Sequence, residues 1–260
     1  IFLGNGSDEA IDLLFRAFCR PGIDNVIIMP PTYGMYEVSA GINDVATKKV
    51  ALSPAFQMEV KNVLDAVDDN TKIIFICSPN NPSGNKIDRQ GIYQILSKFD
   101  GLVVIDEAYI DFSDEPSFSL ELSQYANLLV MQTLSKAWGL ATLRLGMAFA
   151  SLEIIGILNK IKPPYNISGL TQDTVLEAIG NTKQLDQMVK EILVQKERLQ
   201  LDLEAIPEVE KVFPSSANFL LAKVPQANQV YQQLIDKKII VRDRSKVQRC
   251  EDCLRITVGS

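Results

Sequence analysis

Histidine is absent from this 260-residue sequence, which removes by inventory His-ligated zinc sites, Ser-His-Asp triads and Cys-His pairs. Any proton transfer must fall to Lys, Tyr, Asp, Glu or Cys. Cysteine is scarce. The four present include Cys19 and Cys77 inside apolar segments, and they read as buried thiols of a reducing compartment rather than a disulfide framework, so a cytoplasmic location is expected. Cys250 and Cys253 form one C-x-x-C, but a structural zinc site needs a second ligand pair, and no metal is expected. Positive charge is in deficit, 26 Lys+Arg against 32 Asp+Glu for a net charge of -6. That is the wrong sign for binding nucleic acid by phosphate neutralisation. No apolar run approaches the roughly 20 residues of a membrane-spanning helix. The opening Ile1-Phe2-Leu3-Gly4-Asn5-Gly6 shows no basic leader, apolar core or cleavage site of a signal peptide.

What is present is ordinary globular material, 47% hydrophobic and 22% charged, of a length that suggests one large domain or two unequal ones. Nearly unbroken apolar runs at Val26–Met29, Ile73–Cys77, Leu102–Ile105, Leu128–Met131 and Leu145–Ala150 read as strands covered on both faces. Helical spacing lies between them at Asp8–Phe18, Val60–Val67 and Arg89–Phe99. The expectation is an α/β fold with a mostly parallel central sheet flanked by helices. From about Ser168 to Ala205 the pattern predicts a long helix. Strands are then expected at Asn218–Ala222, Ile239–Val241 and Leu254–Val258, with a helix around Gln229–Ile235. These form a smaller α+β domain. Pro163-Pro164 interrupts any helix there, so the division is set at 1–164 and 165–260.

Four segments could carry chemistry. Gly4-Asn5-Gly6-Ser7-Asp8-Glu9 opens a helix, with Ser7 suited to the N-cap and Asp8 and Glu9 to the positive end of the dipole. The helix start alone accounts for these residues; the functional alternative is a phosphate cradle, in which the main-chain amides bind the anion and both acids turn away. Ser78-Pro79-Asn80-Asn81-Pro82-Ser83-Gly84 follows a strand, where open α/β sheets bind ligands, yet it is also a plain turn. Asp106 closes an apolar strand within Asp106-Glu107-Ala108-Tyr109. Lys136 lies among apolar neighbours in Thr133-Leu134-Ser135-Lys136-Ala137-Trp138-Gly139, where desolvation would favour a nucleophilic amine. Taken singly, it reads as a surface lysine.

In this order the segments resemble the fold-type I pyridoxal phosphate aminotransferases. The Val241-Arg242-Asp243 and Leu254-Arg255-Ile256-Thr257-Val258-Gly259 stretches favour the histidinol-phosphate aminotransferase branch. The resemblance runs over essentially the whole chain and implies pyridoxal 5'-phosphate as cofactor. It implies that Lys136 bonds the cofactor aldehyde and shuttles the substrate proton, and that Asp106 pairs with the ring nitrogen. Asn81 and Tyr109 would bond the ring's phenolic oxygen, and Tyr33 would stack on the ring. Amides of Ser7, Asp8 and Glu9, with Ser135 and Arg144, would hold the phosphate. Arg255 would bind the carboxylate of glutamate or 2-oxoglutarate, and Arg242, together with Asn81, would serve the substrate, the arginine meeting its phosphate. A homodimer is implied as well.

The family pattern departs at both ends. Members carry an arm ahead of the glycine turn, including a tyrosine that reaches the neighbouring subunit's cofactor, and a closing helix after Gly259-Ser260. A fragment is therefore expected. The function implied is transamination between histidinol phosphate and 2-oxoglutarate in histidine biosynthesis. Its rivals are an aromatic amino-acid aminotransferase, a threonine-phosphate decarboxylase, and a non-catalytic cofactor-binding module.

Overall fold

The computed structural model describes residues 1–259. Its larger sheet has seven strands: β1 (Phe2–Asn5), β2 (Asn25–Ile28), β3 (Ala46–Lys49), β4 (Thr71–Cys77), β5 (Leu102–Asp106), β6 (Leu128–Thr133) and β7 (Leu145–Phe149). They lie in the order β1-β7-β6-β5-β4-β2-β3. Pairing is parallel from β3 through β2, β4 and β5 to β6. It is antiparallel where β7 meets β6 and β1, so β7 alone runs against the rest. The mostly parallel sheet expected from the apolar runs is observed.

Alternation along each central strand assigns its side chains to two cores. Ile73, Phe75 and Val104 face one layer with Ile11, Leu14 and Phe15 of α1 (Ser7–Phe18), together with α2 (Met35–Ile42) and α5 (Leu152–Ile161). Ile74, Ile76, Val103 and Ile105 face the other, against α3 (Val60–Asp65) and Ile92, Ile95 and Leu96 of α4 (Arg89–Lys98). Burial of each such side chain contributes roughly 1.5–3 kcal/mol relative to exposure, which explains why these strands read as continuous apolar runs. β3, in contrast, is Ala-Thr-Lys-Lys on the sheet edge. Lysines there blunt further pairing, and the same polarity hides the strand from a hydrophobic pattern.

In the second half, the long helix expected over 168–205 is two helices, α6 (Gly169–Ile179) and α7 (Thr182–Glu204). The break falls at Gly180-Asn181, where the Asn181 side chain accepts from the Gln184 amide and starts a new helix. A four-stranded antiparallel sheet follows, built from β8 (Lys211–Phe213), β9 (Phe219–Lys223), β10 (Arg242–Asp243) and β11 (Cys253–Thr257), in the order β10-β11-β9-β8. Helix α8 (Ala227–Asp236) lies between β9 and β10. The strand expected at Ile239–Val241 is displaced to Arg242–Asp243. Lys238 turns the chain at φ +62°, and Ile239 and Ile240 are exposed rather than paired. All four cysteines are free and buried. No helix among the described residues is long and apolar enough to cross a membrane.

The two sheets meet over the loop after β5. Tyr109 and Phe112 pack with Ile192 of α7, Ala217 and Phe219. The Lys196 amine, buried in α7, donates to the Ser215 and Ala217 carbonyls at 2.7 and 3.0 Å. The Ser216 amide in turn bonds the Gly84 carbonyl at 2.7 Å. This contact brings β11 against the Asn81 turn.

Candidate active site

Cys77, Asp106 and Thr133 stand at the C-terminal ends of the parallel strands β4, β5 and β6, the edge at which open α/β sheets bind ligands. They line one pocket together with Ser7, Asp8, Tyr33, Asn81, Tyr109, Ser135, Lys136 and Arg144. Segments far apart in sequence converge there because each follows a strand of the same sheet.

Asp106 is 3% exposed. Its Oδ2 accepts from the Tyr36 phenol at 2.6 Å and its Oδ1 from the Ala108 amide at 3.1 Å. Burial pushes this carboxyl above its ordinary range, opposed by those two bonds and by Lys136. Lys136 is half-buried, with Nζ 5.3 Å from the Tyr109 ring centroid. Burial, and then the neighbouring Arg255 guanidinium, lower its proton affinity. The lysine is thus not the ordinary surface residue that its type suggests in isolation. Tyr109 lies edge-on to Phe219 at 5.1 Å, and burial pushes its phenol up to about 12.

The two adjacent asparagines divide their work. Asn80 is buried and organises the turn, donating to the Pro31 carbonyl at 2.8 Å and to Ser83 Oγ at 2.7 Å. Asn81 lines the pocket, and its Oδ1 accepts from Arg255 Nη1 at 2.7 Å.

The start of α1 differs from the sequence expectation. Gly6, at φ +77°, occupies the N-cap, and Ser7 is the first helical residue. The cap position needs a left-handed backbone that glycine adopts without strain. The Ser7 hydroxyl is buried with no partner among the described residues. Glu9 turns away as the cradle requires, its Oε2 accepting from the Asn5 amide at 2.5 Å and from Asn166 at 2.9 Å. Asp8 does not. It lines the pocket, accepts from the Tyr33 phenol at 3.0 Å, and lies 3.6 Å from Arg144 Nη2. Arg144 itself sits at φ +52°, and its carbonyl accepts from the Gly6 amide at 2.8 Å, which ties the end of the lysine loop to the cradle.

Arg242 and Arg255 face each other across β10 and β11. Directly opposed residues share a sheet face, but only Arg255 reaches Asn81. Neither arginine lines the pocket itself; Arg255 borders it through Asn81, and Arg242 is exposed. Pattern reading missed Tyr36, Cys77 and Thr133 as neighbours of the site. Tyr36 follows Tyr33 within one short run, but no local signal aims it at a residue 70 positions away.

A mostly parallel sheet with one reversed strand, a smaller antiparallel sheet folded against it, and a lysine facing a buried aspartate at the strand ends together define the fold-type I architecture of pyridoxal phosphate enzymes. The chain belongs to the class I and II aminotransferase family, whose model matches residues 1–260. It is 56% identical over 260 residues to a histidinol-phosphate aminotransferase of Parabacteroides distasonis and 55% identical to one of Cytophaga hutchinsonii. In each case the match covers the whole of this chain and 75% of the relative. The solved histidinol-phosphate aminotransferase of Clostridium acetobutylicum shares the fold at a TM-score of 0.89 and 23% identity, over all of this chain and 78% of that one.

Enzymes of this family work with pyridoxal 5'-phosphate. The residues present fit that group. The partnerless Ser7 hydroxyl and the free amides of the first turn of α1 suit a phosphate. A carboxyl whose proton affinity is raised by burial suits a cation set directly against it, and a protonated ring nitrogen is such a cation.

Proposed function

We propose that this protein exchanges an amino group between histidinol phosphate and 2-oxoglutarate, giving imidazole-acetol phosphate and glutamate, with pyridoxal phosphate held between Lys136 and Asp106. The observation that carries the reading is a half-buried lysine sharing one pocket with a buried carboxylate, in a chain 56% identical along its length to a histidinol-phosphate aminotransferase.

When bound, pyridoxal phosphate supplies a carbonyl for the amino group and a ring that accepts the electron pair left when the substrate's amine-bearing carbon loses its proton. Lys136, with its lowered proton affinity, is the amine that would hold that carbonyl. The Lys136 amine, when neutral, would serve as the base that takes and returns the proton of the substrate's amine-bearing carbon. Asp106 would hold the ring nitrogen protonated. Asn81 and Tyr109 would donate to the ring oxygen, and Tyr33 would cover the ring. The amides of Ser7, Asp8 and Glu9, the Ser135 hydroxyl and Arg144 hold the phosphate, with the guanidinium offsetting the charge of Asp8.

Arg255 takes the carboxylate of glutamate or 2-oxoglutarate through its planar fork. Its position against Asn81 and its buried Nε, which has no partner among the described residues, support that role. Arg242 meets the substrate phosphate from the same sheet face. The reading includes a cytoplasmic homodimer, for which light scattering would give twice the chain mass.

The test is to add histidinol phosphate, and separately glutamate, to the cofactor-loaded protein. Both should discharge the visible absorption of the loaded form, and turnover should require an oxo-acid acceptor. Failure with either donor, a preference for phenylalanine, or carbon dioxide release without an acceptor overturns the proposal.

A further inference from the structure

Beyond the groups that touch the cofactor, one buried side chain is joined to the site by a single strong bond. Tyr36 is completely buried at the start of α2. Its ring stacks on Phe75 with centroids 4.7 Å apart and planes 15° from parallel, and it meets the Tyr33 ring edge-on at 5.6 Å. Its phenol donates to Asp106 Oδ2 at 2.6 Å, with the Cys77 thiol beside it. A leucine or phenylalanine would fill the core equally well, and a hydroxyl is expensive to bury unless it makes a bond. Burial, and then Asp106, hold the phenol's proton affinity well above its ordinary value, so Tyr36 is the donor in this pair.

We propose that Tyr36 is a positioning residue of the site, whose phenol fixes the orientation of the Asp106 carboxylate and holds it ionised toward the ring nitrogen of the cofactor; this rests on the cofactor assignment above. The carboxylate is held on two sides, by Tyr36 at Oδ2 and by the Ala108 amide at Oδ1. Only Tyr36 reaches it from another element, 70 positions away. The other titratable groups facing Asp106 are Tyr33 ahead of α2, Asp8 on α1, Cys77 on β4, Tyr109 on its own loop, and Lys136 beyond β6. Among these, Lys136 opposes the effect of burial from a distance. Loss of the Tyr36 hydroxyl therefore leaves Asp106 more basic and freer to rotate, and it competes for the proton that the ring nitrogen must keep.

The experiment compares the parent protein with Tyr36→Phe, which retains the stack on Phe75, and with 3-fluorotyrosine incorporated at position 36, whose phenol is more acidic. In cofactor-free protein, carbon-13 NMR of the Asp106 carboxyl should show its titration midpoint rising in Tyr36→Phe and falling with the fluorinated ring. In loaded protein, Tyr36→Phe should weaken retention of pyridoxal phosphate about tenfold, the worth of one hydrogen bond to a charged group. The pH midpoint of the visible absorption should move in the same variant, while the melting temperature stays near the parent's. A parent that takes up cofactor, with midpoints and retention unmoved in both variants, overturns the proposal and leaves the functional reading intact. A parent that takes up no cofactor overturns the functional reading, and the cofactor-free titration still decides whether Tyr36 governs Asp106.

Discussion

Arg255 Nη1 donates to Asn81 Oδ1 at 2.7 Å across 174 positions of sequence. This bond joins β11 of the smaller sheet to the turn that follows β4 of the larger one. Arg255 is held further by its guanidinium, 4.8 Å from the Phe219 ring centroid. A carboxylate entering the pocket therefore meets an arginine already oriented by an amide and an aromatic face, which reduces the ordering cost of binding.

Arg255→Lys keeps the charge but loses the fork, so the KM for 2-oxoglutarate should rise about tenfold or more, in line with the 1.5–3 kcal/mol of a hydrogen bond to a charged group. Steady-state kinetics with varied 2-oxoglutarate check this. Arg242→Ala, at an exposed position with no bond to Asn81, should instead raise the KM for histidinol phosphate and leave that for 2-oxoglutarate nearly unchanged.

Gly146 explains how β7 can lie against the phosphate cradle. A Cβ there would come within 2.4 Å of the Gly6 carbonyl carbon and the Ser7 amide nitrogen, both backbone atoms that cannot swing aside. Gly146→Ala should cost about 1–3 kcal/mol, lower the melting temperature by several degrees, and weaken phosphate-dependent cofactor binding. The contrasting Gly156→Ala, in α5 with nothing within 4 Å, should stabilise slightly. Calorimetry on both variants separates local collision from a general intolerance of substitution.

The lowered proton affinity of Lys136 has a pH consequence. Covalent uptake of cofactor needs the neutral amine, and burial, reinforced by Arg255, makes that form available at lower pH than for an ordinary lysine. The uptake rate of cofactor-free protein should therefore rise with pH and reach its plateau below the ordinary lysine range. In Arg255→Leu the rise should move to higher pH, because a repelling cation is gone. Stopped-flow absorbance across pH measures both.

The central strands and the chemistry at their ends were legible in the sequence because one physical cause produces both signals. Strands buried on two faces are apolar without interruption, and the polar residue that closes β5, Asp106, stands at the ligand edge, whereas Thr133 lies past the apolar run of β6 and gave no such signal. Edge strand β3 escaped because its Ala-Thr-Lys-Lys composition serves against aggregation rather than burial. The N-cap assignment to Ser7 failed because a left-handed Gly6 replaces side-chain capping. The role of Tyr36 depends on a contact that no local spacing encodes, and the exposure of Arg242 depends on where the turn at Lys238 ends.

The account depends most on the Lys136 amine. Protein incubated with pyridoxal phosphate, reduced with borohydride, digested and mapped by mass spectrometry should carry the cofactor on the peptide containing Lys136, and Lys136→Ala should carry none. Labelling spread over exposed lysines, or undiminished in Lys136→Ala, would contradict it.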